Sequence, residues 1–409
     1  MTPSDHNPTA DNRRAFLARA GAGAAALSLA SCRQHPPAAP ATKTVEPTKA
    51  ADGLQTRTLG RTGLNVVVVG IGCADLSNGP APVRRAIDQG LNYLDTADTY
   101  LEGHGEEHVG RAIEGLRDKV IVATKWVARA QHKQADLLAM LDASLKRLKV
   151  DHVDIMQIHG LGDQGFGGDA YARLDNPELA AAMAAAKKAG KARFFGATSH
   201  DGQRAAILRH AIDQGHYDMI LVKLSHGDFD PAMADLLAHA RAKSVGVVAM
   251  KSTQGNHAPP ELKESDPFKA QLKWALGQGV ACVINSGVGS NTNIQNKALE
   301  VAREPLELSA AELRLVADYT RLVGAEWCRG CGHVCGAACP AGVRIADVLR
   351  YRMYAKGYGA VEMARAEYRQ VDPEQRLTAA CGDCTRCVEA CPHGLPVIEH
   401  LEEARRLLA

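Results

Sequence analysis

Aromatic residues are scarce in this sequence, and charge of either sign is spread thinly along it. Phe, Trp and Tyr make up 4% of the 409 residues, and the formal net charge is +2, with no long basic or acidic run. Nucleic-acid recognition needs clustered cations and, for single strands, aromatic side chains on which bases stack. The composition therefore predicts no nucleic-acid partner and no strongly acidic partner.

A long apolar run is also missing. The apolar stretch within residues 11–32, DNRRAFLARAGAGAAALSLASC, is short and rich in Ala and Gly, which excludes a stable membrane-spanning helix. Because Arg13 and Arg14 precede it, residues 1–31 resemble a twin-arginine signal peptide. The alternative is an ordinary amphipathic leader or helix with a chance arginine pair.

The residues from Leu29 to Cys32 resemble a lipobox, in which Cys32 would carry a lipid and become the new N-terminus. Residues 32–52 are rich in Pro and Ala, which predicts a flexible linker between this anchor and the globular part. We therefore expect export by the twin-arginine route to the periplasm, with membrane contact only through a lipid on Cys32.

From residue 53 onward, short β-branched runs alternate with segments of helical periodicity. Apolar strands separated by helices predict a parallel sheet, and eight such units over residues 53–322 favour a (β/α)8 TIM barrel. A doubly wound open sheet is the alternative, but no GxGxxG motif follows the first strand. The predicted strands are Val66–Gly72, Asn92–Thr96, Val120–Lys125, Val153–His159, Arg193–Ser199, Met219–Ser225, Val245–Met250 and Ala281–Ser286.

Residues able to do chemistry lie at the ends of these strands, where barrels of this class carry their active sites. Asp95, Tyr100, Lys125 and His159 follow or end the second, third and fourth strands. Each alone has an ordinary explanation, such as a helix cap, a surface lysine or a core histidine. Their placement at adjacent strand ends on one face predicts a shared site.

Five segments of the barrel region form a specific pattern: RTLGRTGLNVVVVGIG, NYLDTADTYLEGHGEEHVGRAI, VIVATK, IMQIHG and FFGATSH. Together they resemble the aldo-keto reductase family. It implies that Asp95, Tyr100, Lys125 and His159 form the family's catalytic tetrad. It also implies a small carbonyl or alcohol substrate, such as an aldehyde, ketone or sugar-like molecule.

Carbonyl reduction gives a physical reason for these residue types. It requires a proton on oxygen, and a phenol with a pKa near 10 is a reluctant donor at neutral pH. We expect Tyr100 to donate this proton, Lys125 to lower the pKa of Tyr100, and Asp95 to anchor Lys125. His159 would donate a hydrogen bond to the substrate carbonyl and orient it.

The cofactor positions depart from the family pattern. Ser199-His200 replaces a Ser-Asn pair, Leu221 and Leu224 stand where relatives carry Gln and Tyr, and only Lys297 offers a cation for a 2′-phosphate. NADP, NAD and no nicotinamide cofactor all remain open, in that order of preference. The predicted cofactor-binding residues are Ser199, His200, Ser225, Lys251, Ser286 and Ser290.

Cysteine is concentrated at the end of the chain. The run CGDCTRCVEACP has the C-x2-C-x2-C-x3-C-P spacing of bacterial ferredoxins, and CRGCGHVCGAACP is one residue longer in its middle gap. Two [4Fe–4S] clusters are favoured over zinc or disulfides, so residues 323–409 are expected to form a small α-helical ferredoxin-like domain. By the ferredoxin rule, one cluster has Cys328, Cys331, Cys335 and Cys391 as ligands, and the other has Cys339, Cys381, Cys384 and Cys387.

The sequence thus predicts an exported oxidoreductase that interconverts a carbonyl and an alcohol and is coupled to two clusters. Electrons would pass to or from a redox partner protein or a quinone-linked donor. The alternative is an electron-transfer protein whose barrel is a non-catalytic scaffold. The remaining isolated cysteines, Cys73 and Cys282, lie in predicted strands and are expected in the core.

Overall fold

The structure is a computed structural model that describes residues 48–49, 53–255, 259–262, 264–378 and 381–409. The predicted signal peptide, Cys32 and nearly all of the predicted linker lie outside the described residues. All described residues belong to one compact unit. Within them, no helix combines the length and the apolar character needed to cross a membrane.

Eight parallel strands close into a barrel, as predicted from the alternation of strands and helices. Each strand pairs with its neighbour in the chain, and the last pairs with the first through Ile284 and Gly70. The carboxyl ends of all eight strands therefore meet at one mouth. The strands are β4 (Val69–Gly72), β5 (Tyr93–Asp95), β6 (Ile121–Trp126), β7 (Val153–Ile158), β8 (Ala192–Ser199), β9 (Met219–Lys223), β10 (Gly246–Met250) and β11 (Cys282–Asn285).

The first predicted strand, Val66–Gly72, is divided in the structure. Its first part pairs antiparallel with a preceding strand, and only Val69–Gly72 enters the barrel. A continuous valine run carries no signal for the point at which the chain changes its pairing partner. The small sheet consists of β1 (Thr48–Lys49), β2 (Gln55–Thr58) and β3 (Asn65–Val67).

This small sheet closes the end of the barrel opposite the mouth. Leu59, Leu64 and Val66 join an apolar cluster with the barrel-interior side chains Tyr93 and Val248. Because these side chains fill the barrel interior, access to it is confined to the carboxyl ends of the strands.

Helices cover the barrel, and their starts are capped where the sequence allows. Asp230 accepts a hydrogen bond from the backbone of Met233, and Ser309 and Glu312 form a reciprocal capping box. The helices are α1 (Ala81–Asp88), α2 (His104–Ala112), α3 (Gln134–Leu148), α4 (Ala170–Leu174), α5 (Pro177–Lys188), α6 (Arg204–Asp213), α7 (Pro231–Ala242), α8 (Pro267–Gly277), α9 (Gly287–Ser290), α10 (Thr292–Arg303) and α11 (Ala310–Val323).

The tail, residues 324–409, is helical and has an apolar core of its own. Its helices are α12 (Gly332–Cys335), α13 (Ile345–Tyr358), α14 (Val361–Arg369), α15 (Arg386–Glu389) and α16 (Val397–Leu408). Buried Arg352 on α13 pairs with Glu326 and Glu403 and ties the tail together. Cys73 and Cys282 are fully buried in the barrel, as predicted.

Candidate active site

The ends of three adjacent strands bring the predicted tetrad together. Asp95 is the last residue of β5, Lys125 lies near the end of β6, and His159 directly follows β7. Because β5, β6 and β7 are neighbours in the barrel, these side chains lie side by side at the mouth. Tyr100 reaches them from the turn Tyr100–Gly103, which follows β5.

The tetrad forms a connected polar cluster centred on Lys125. The Lys125 ammonium donates to Asp95 Oδ1 at 2.5 Å and to the Thr96 carbonyl at 2.7 Å, and it lies 3.3 Å from Tyr100 Oη. Gln157 donates to the second Asp95 oxygen at 2.8 Å. Asp95 and Lys125 are almost completely buried, so both charges are held in place with little contact with water.

The turn that presents Tyr100 is held under backbone strain. Leu101 and Glu102 both have left-handed backbones, with φ of 50° and 57°, a conformation that non-glycine residues rarely adopt. Gly105 backs the turn closely, because a Cβ at this position would lie 2.9 Å from the Cβ of Tyr100. The chain therefore fixes the position of the phenol at a local energetic cost.

His159 faces Tyr100 across the cavity in an edge-to-face arrangement, with ring centres 5.6 Å apart. Its Nδ1 lies 3.4 Å from Thr99 Oγ1, and Phe166 packs on its ring at 4.3 Å. Burial is the largest influence on the pKa of His159 and the Lys125 cation is the next largest. Both hold this pKa well below its usual value. A neutral imidazole in this position can donate a hydrogen bond to a carbonyl oxygen.

The phenol of Tyr100 differs from the expectation in one respect. Burial, and next the Asp95 carboxylate, raise the pKa of Tyr100 well above its usual value. The pKa of Tyr100 is therefore not lowered in this conformation, because desolvation of the phenolate is the largest influence on it. A phenol that favours its neutral form can act as a proton donor.

Helices of the tail cover the mouth of the barrel and form one wall of the tetrad cavity. No sequence pattern indicated that these helices reach the tetrad. The cavity has a volume of about 90 Å³. The tail side chains that line it are Arg350, Tyr351, Tyr354, Tyr358, Met363 and Glu367.

Three of the six predicted cofactor-binding residues line the tetrad cavity: His200, Lys251 and Ser286. The hydroxyls of the other three are engaged within the protein. Ser199 donates to the Leu161 carbonyl at 2.7 Å, Ser225 to Asp228 at 2.6 Å, and Ser290 to the Ser286 carbonyl at 3.2 Å.

The other positions considered for a nicotinamide cofactor are also occupied by internal contacts. Lys297 pairs with Asp266 at 3.1 Å, and Leu221 and Leu224 are buried in apolar clusters. A site for a drug-sized ligand has a volume of roughly 300–1,000 Å³. The tetrad cavity, with a volume of about 90 Å³, is smaller than this range.

A charged network joins barrel and tail beside the cavity, and no sequence pattern indicated it. The loop residue Asp163 contacts His200 Nε2 at 3.0 Å and Arg350 of α13 at 3.5 Å. Burial tends to raise the pKa of Asp163, but His200 and Arg350 lower it more. The pKa of this carboxyl group therefore lies below its usual value. The main chain adds further links, since Gly202 donates to the Gly330 carbonyl at 2.9 Å.

The eight clustered cysteines fall into the two predicted groups. Burial, and next the thiols of Cys328, Cys331 and Cys391, raise the pKa of Cys335 to about 12, so these four sulfurs are neighbours. Cys339, Cys381, Cys384 and Cys387 line one small cavity of about 30 Å³ in the tail.

None of the ten described cysteines forms a disulfide. Among described side chains, no three of His, Cys, Asp or Glu converge on a position for a single metal ion. Two sets of four free thiols, one of which lines a single small cavity, fit the ligand requirement of [4Fe–4S] clusters.

Comparison with known proteins agrees with this geometry. Residues 79–315 match the Aldo/keto reductase family, which is more than half of the chain. The chain belongs to the aldo/keto reductase family. It is therefore an oxidoreductase enzyme by family membership, and its tail, residues 327–395, matches a 4Fe-4S dicluster domain.

Two curated relatives span most of the reductase barrel. L-galactose dehydrogenase of Arabidopsis thaliana is 33% identical over 56% of this chain and 75% of the relative. Methylglyoxal reductase YeaE of Escherichia coli is 34% identical over 58% of this chain and 82% of the relative.

Two solved reductase structures resemble the barrel. Aldo-keto reductase AKR11C1 from Bacillus halodurans has a TM-score of 0.52 at 23% identity, over 65% of this chain and 96% of the other, and supports the fold alone. An aldo/keto reductase from Klebsiella pneumoniae, crystallised with NADP and acetate, has a TM-score of 0.50 at 25% identity. The match covers 65% of this chain and 95% of the other.

Proposed function

We propose that this protein is an exported oxidoreductase that interconverts a small carbonyl compound and its alcohol, with Tyr100 as the acid and base. The observation that carries the proposal is the assembled tetrad, in which Lys125 bridges Asp95 at 2.5 Å and Tyr100 at 3.3 Å. A structural role alone would not require a phenol, an ammonium and an imidazole to face one cavity.

The side chains divide the proton chemistry between them. Tyr100 gives its proton to the carbonyl oxygen during reduction and takes it back during alcohol oxidation. The Lys125 ammonium stabilises the phenolate that forms when the proton leaves, and the hydrogen bond to Asp95 holds Lys125 in place. Neutral His159 holds the carbonyl oxygen by a hydrogen bond, which favours the charge that develops there.

The tail is proposed to hold two [4Fe–4S] clusters in the arrangement predicted from the ferredoxin rule. When bound, the clusters would supply one-electron transfer, whereas a carbonyl becomes its alcohol by gaining two electrons and two protons. Tyr100 supplies the proton on oxygen, and the hydrogen on carbon would arrive as a hydride from a bound nicotinamide cofactor. The group containing Cys328 lies against the barrel, since Lys223 donates to the Arg329 carbonyl at 3.1 Å and Gly202 to that of Gly330. The cavity of the other group is lined by tail residues. We therefore expect the Cys328 group to exchange electrons with the tetrad cavity and the Cys384 group with an external redox partner.

Export is proposed from the sequence. Arg13, Arg14 and the following short apolar stretch resemble a twin-arginine signal. This route carries proteins already folded around cofactors, and clusters are assembled in the cytoplasm. The signal and the cysteine-rich tail therefore support one another, and a lipid on Cys32 would hold the protein at the membrane.

Turnover of paired variants tests the proposed chemistry. Tyr100→Phe removes only the phenolic proton, so oxidation and reduction of a panel of aldehydes, ketones and sugar alcohols should slow by about 10²–10⁴-fold. Tyr368→Phe is the matched control, because Tyr368 packs in the apolar core of the tail and does not line the tetrad cavity. An unchanged rate for Tyr100→Phe would rule out the assignment.

A specific observation favours a second candidate, an electron-transfer protein whose barrel only carries the clusters. The tail covers the mouth, and the tetrad cavity has a volume of only about 90 Å³. Anaerobic purification distinguishes the candidates through the visible spectrum, the iron content and any nucleotide released on denaturation. Retained NADP or NAD would contradict the scaffold, whereas clusters without turnover of any substrate in the panel would support it.

A further inference from the structure

A second, larger cavity adjoins the tetrad cavity. It has a volume of about 220 Å³ and lies between the barrel mouth and the tail, with Cys328 in its wall. His200, Lys251 and Arg350 line both cavities. These three side chains therefore stand at the junction through which a ligand in the larger space would reach the tetrad.

The charges at this junction are not balanced. Arg350 pairs with Asp347 at 2.8 Å and with Asp163 at 3.5 Å, and His200 also contacts Asp163. In the part of the chain that the structure describes, Lys251 has no carboxylate within 4 Å. Its ammonium instead lies 5.3 Å from the centre of the Tyr354 ring.

The surroundings make this cation costly without a counter-charge. Burial, and next the Arg350 cation, hold the pKa of Lys251 well below its usual value. The positive charges of Lys223 and Lys125 lower the pKa of Lys251 further. Among the principal influences on this pKa, only the Asp163 carboxylate raises it. The backbone of Lys251 is left-handed, with φ of 57°. Without an anion nearby, burial favours the neutral amine of Lys251, and an anion in the cavity would hold Lys251 in its charged form. A strained lysine that presents its amine to a cavity beside Arg350 therefore indicates a site for an anion.

The acidic side chains in the wall of the tetrad cavity are Asp95, which pairs with Lys125, and Glu367. It makes no ion pair within the described residues, and burial raises its pKa. A carboxyl group that favours its neutral form is a poor permanent partner for Lys251. The missing negative charge must therefore come chiefly from a ligand.

We propose that Lys251, assisted by Arg350, binds the carboxylate of a small 2-oxo acid, 2-hydroxy acid or sugar acid whose reacting carbon faces Tyr100 and His159. This inference rests on the proposed function and specifies its substrate class. One unpaired cation matches the single charge of a carboxylate, and a tetrad cavity of about 90 Å³ admits only a few carbon atoms. The rest of a longer acid would extend into the larger cavity.

Calorimetric binding to the full-length, cluster-containing protein tests this site without requiring turnover. The probes are pyruvate against neutral pyruvamide and gluconate against glucose, at fixed ionic strength. We expect at least one carboxylate to bind about 10- to 100-fold more tightly than its neutral counterpart, as for a charge-assisted hydrogen bond. Lys251→Met should abolish this preference, Lys251→Arg should retain most of it, and Glu367→Gln should preserve it. Lys243→Met, on the exposed surface, is the matched control.

Equal binding of acid and neutral probes by the wild-type protein would overturn the inference, and this comparison needs no variant to fold. An acid preference that survives Lys251→Met would also overturn it, as would inorganic phosphate that binds at Lys251 more tightly than every carboxylate. The Tyr100→Phe variant separates this inference from the proposed function. If Tyr100→Phe still binds the acid and its turnover is unchanged, only the catalytic assignment of Tyr100 is refuted. If the wild-type protein shows no preference for the acid but its turnover depends on Tyr100, only the carboxylate site is refuted.

Discussion

Replacing Asp95 by Asn should destabilise the barrel strongly, because it leaves a buried ammonium without its counter-charge. Asp95 and Lys125 are 2% and 1% exposed, and their charged atoms are 2.5 Å apart. At an effective dielectric constant of about 20, their attraction is about 7 kcal/mol. Removal of one partner from a buried pair typically costs about 3–5 kcal/mol of unfolding free energy.

This loss can be measured by thermal unfolding of the anaerobic protein. For a domain of this size, each kcal/mol corresponds to roughly 2–4 °C, so Asp95→Asn should lower the melting temperature by roughly 6–20 °C. Asp142→Asn is a matched control, since Asp142 and Lys191 are also 2.5 Å apart but lie on the surface. An exposed pair contributes about 1 kcal/mol or less.

The double variant Asp95→Asn/Lys125→Met removes both charges and should recover at least half of the lost stability, because no uncompensated ion remains. A shift no larger than that of Asp142→Asn would refute the reasoning. So would a double variant less stable than Asp95→Asn alone. Either result would mean that the pair does not hold a desolvated charge in place.

Three further predictions concern the turn, the pH dependence and the clusters. Gly105→Ala should lower turnover at least tenfold with little loss of folded protein, because the new Cβ would displace Tyr100; unchanged kcat would show that the turn adapts. Burial, with Glu106 as the next influence, raises the pKa of Asp98 to about 7. The free energy of unfolding should therefore fall as the pH rises from about 4 to 7, and denaturant titrations should show a flatter pH dependence for Asp98→Asn. Cys391→Ser should alter the electron paramagnetic resonance signal of the cluster bound by Cys328, and Cys384→Ser that of the other cluster, each with about half of the iron lost; the reverse pattern would contradict the crossed ligation.

Much of the barrel and the tetrad follows from local sequence patterns. Strand and helix periodicity predicts the eight units, and parallel strands place their carboxyl ends at one mouth. Asp95, Lys125 and His159 lie at or just beyond strand ends, so topology alone brings them together. The spacing of the cysteines likewise indicates an iron–sulfur cluster, because a cluster limits how far apart along the chain its cysteine ligands can lie.

The cover of the cavity could not be predicted in the same way. Arg350 and Glu367 belong to tail helices far from the tetrad in sequence, and their contacts depend on how the tail packs on the barrel. Tertiary contacts that no local pattern indicates also explain why Ser199 and Ser225 do not face the cavity as cofactor-binding residues. Their position after strands favours a cofactor role, yet tertiary contacts with the Leu161 carbonyl and Asp228 engage both hydroxyls.

The coupling of tetrad chemistry to the clusters is tested most directly by following the clusters themselves. Dithionite-reduced protein, freed of excess reductant, would be mixed anaerobically with the carbonyl panel, with and without added NADP, and the paramagnetic cluster signals recorded. We expect a substrate carbonyl to reoxidise the clusters in the wild-type protein, with one alcohol formed for every two electrons lost, and to leave them reduced in Tyr100→Phe. Equal reoxidation in both proteins, or none with any carbonyl, would contradict the coupling.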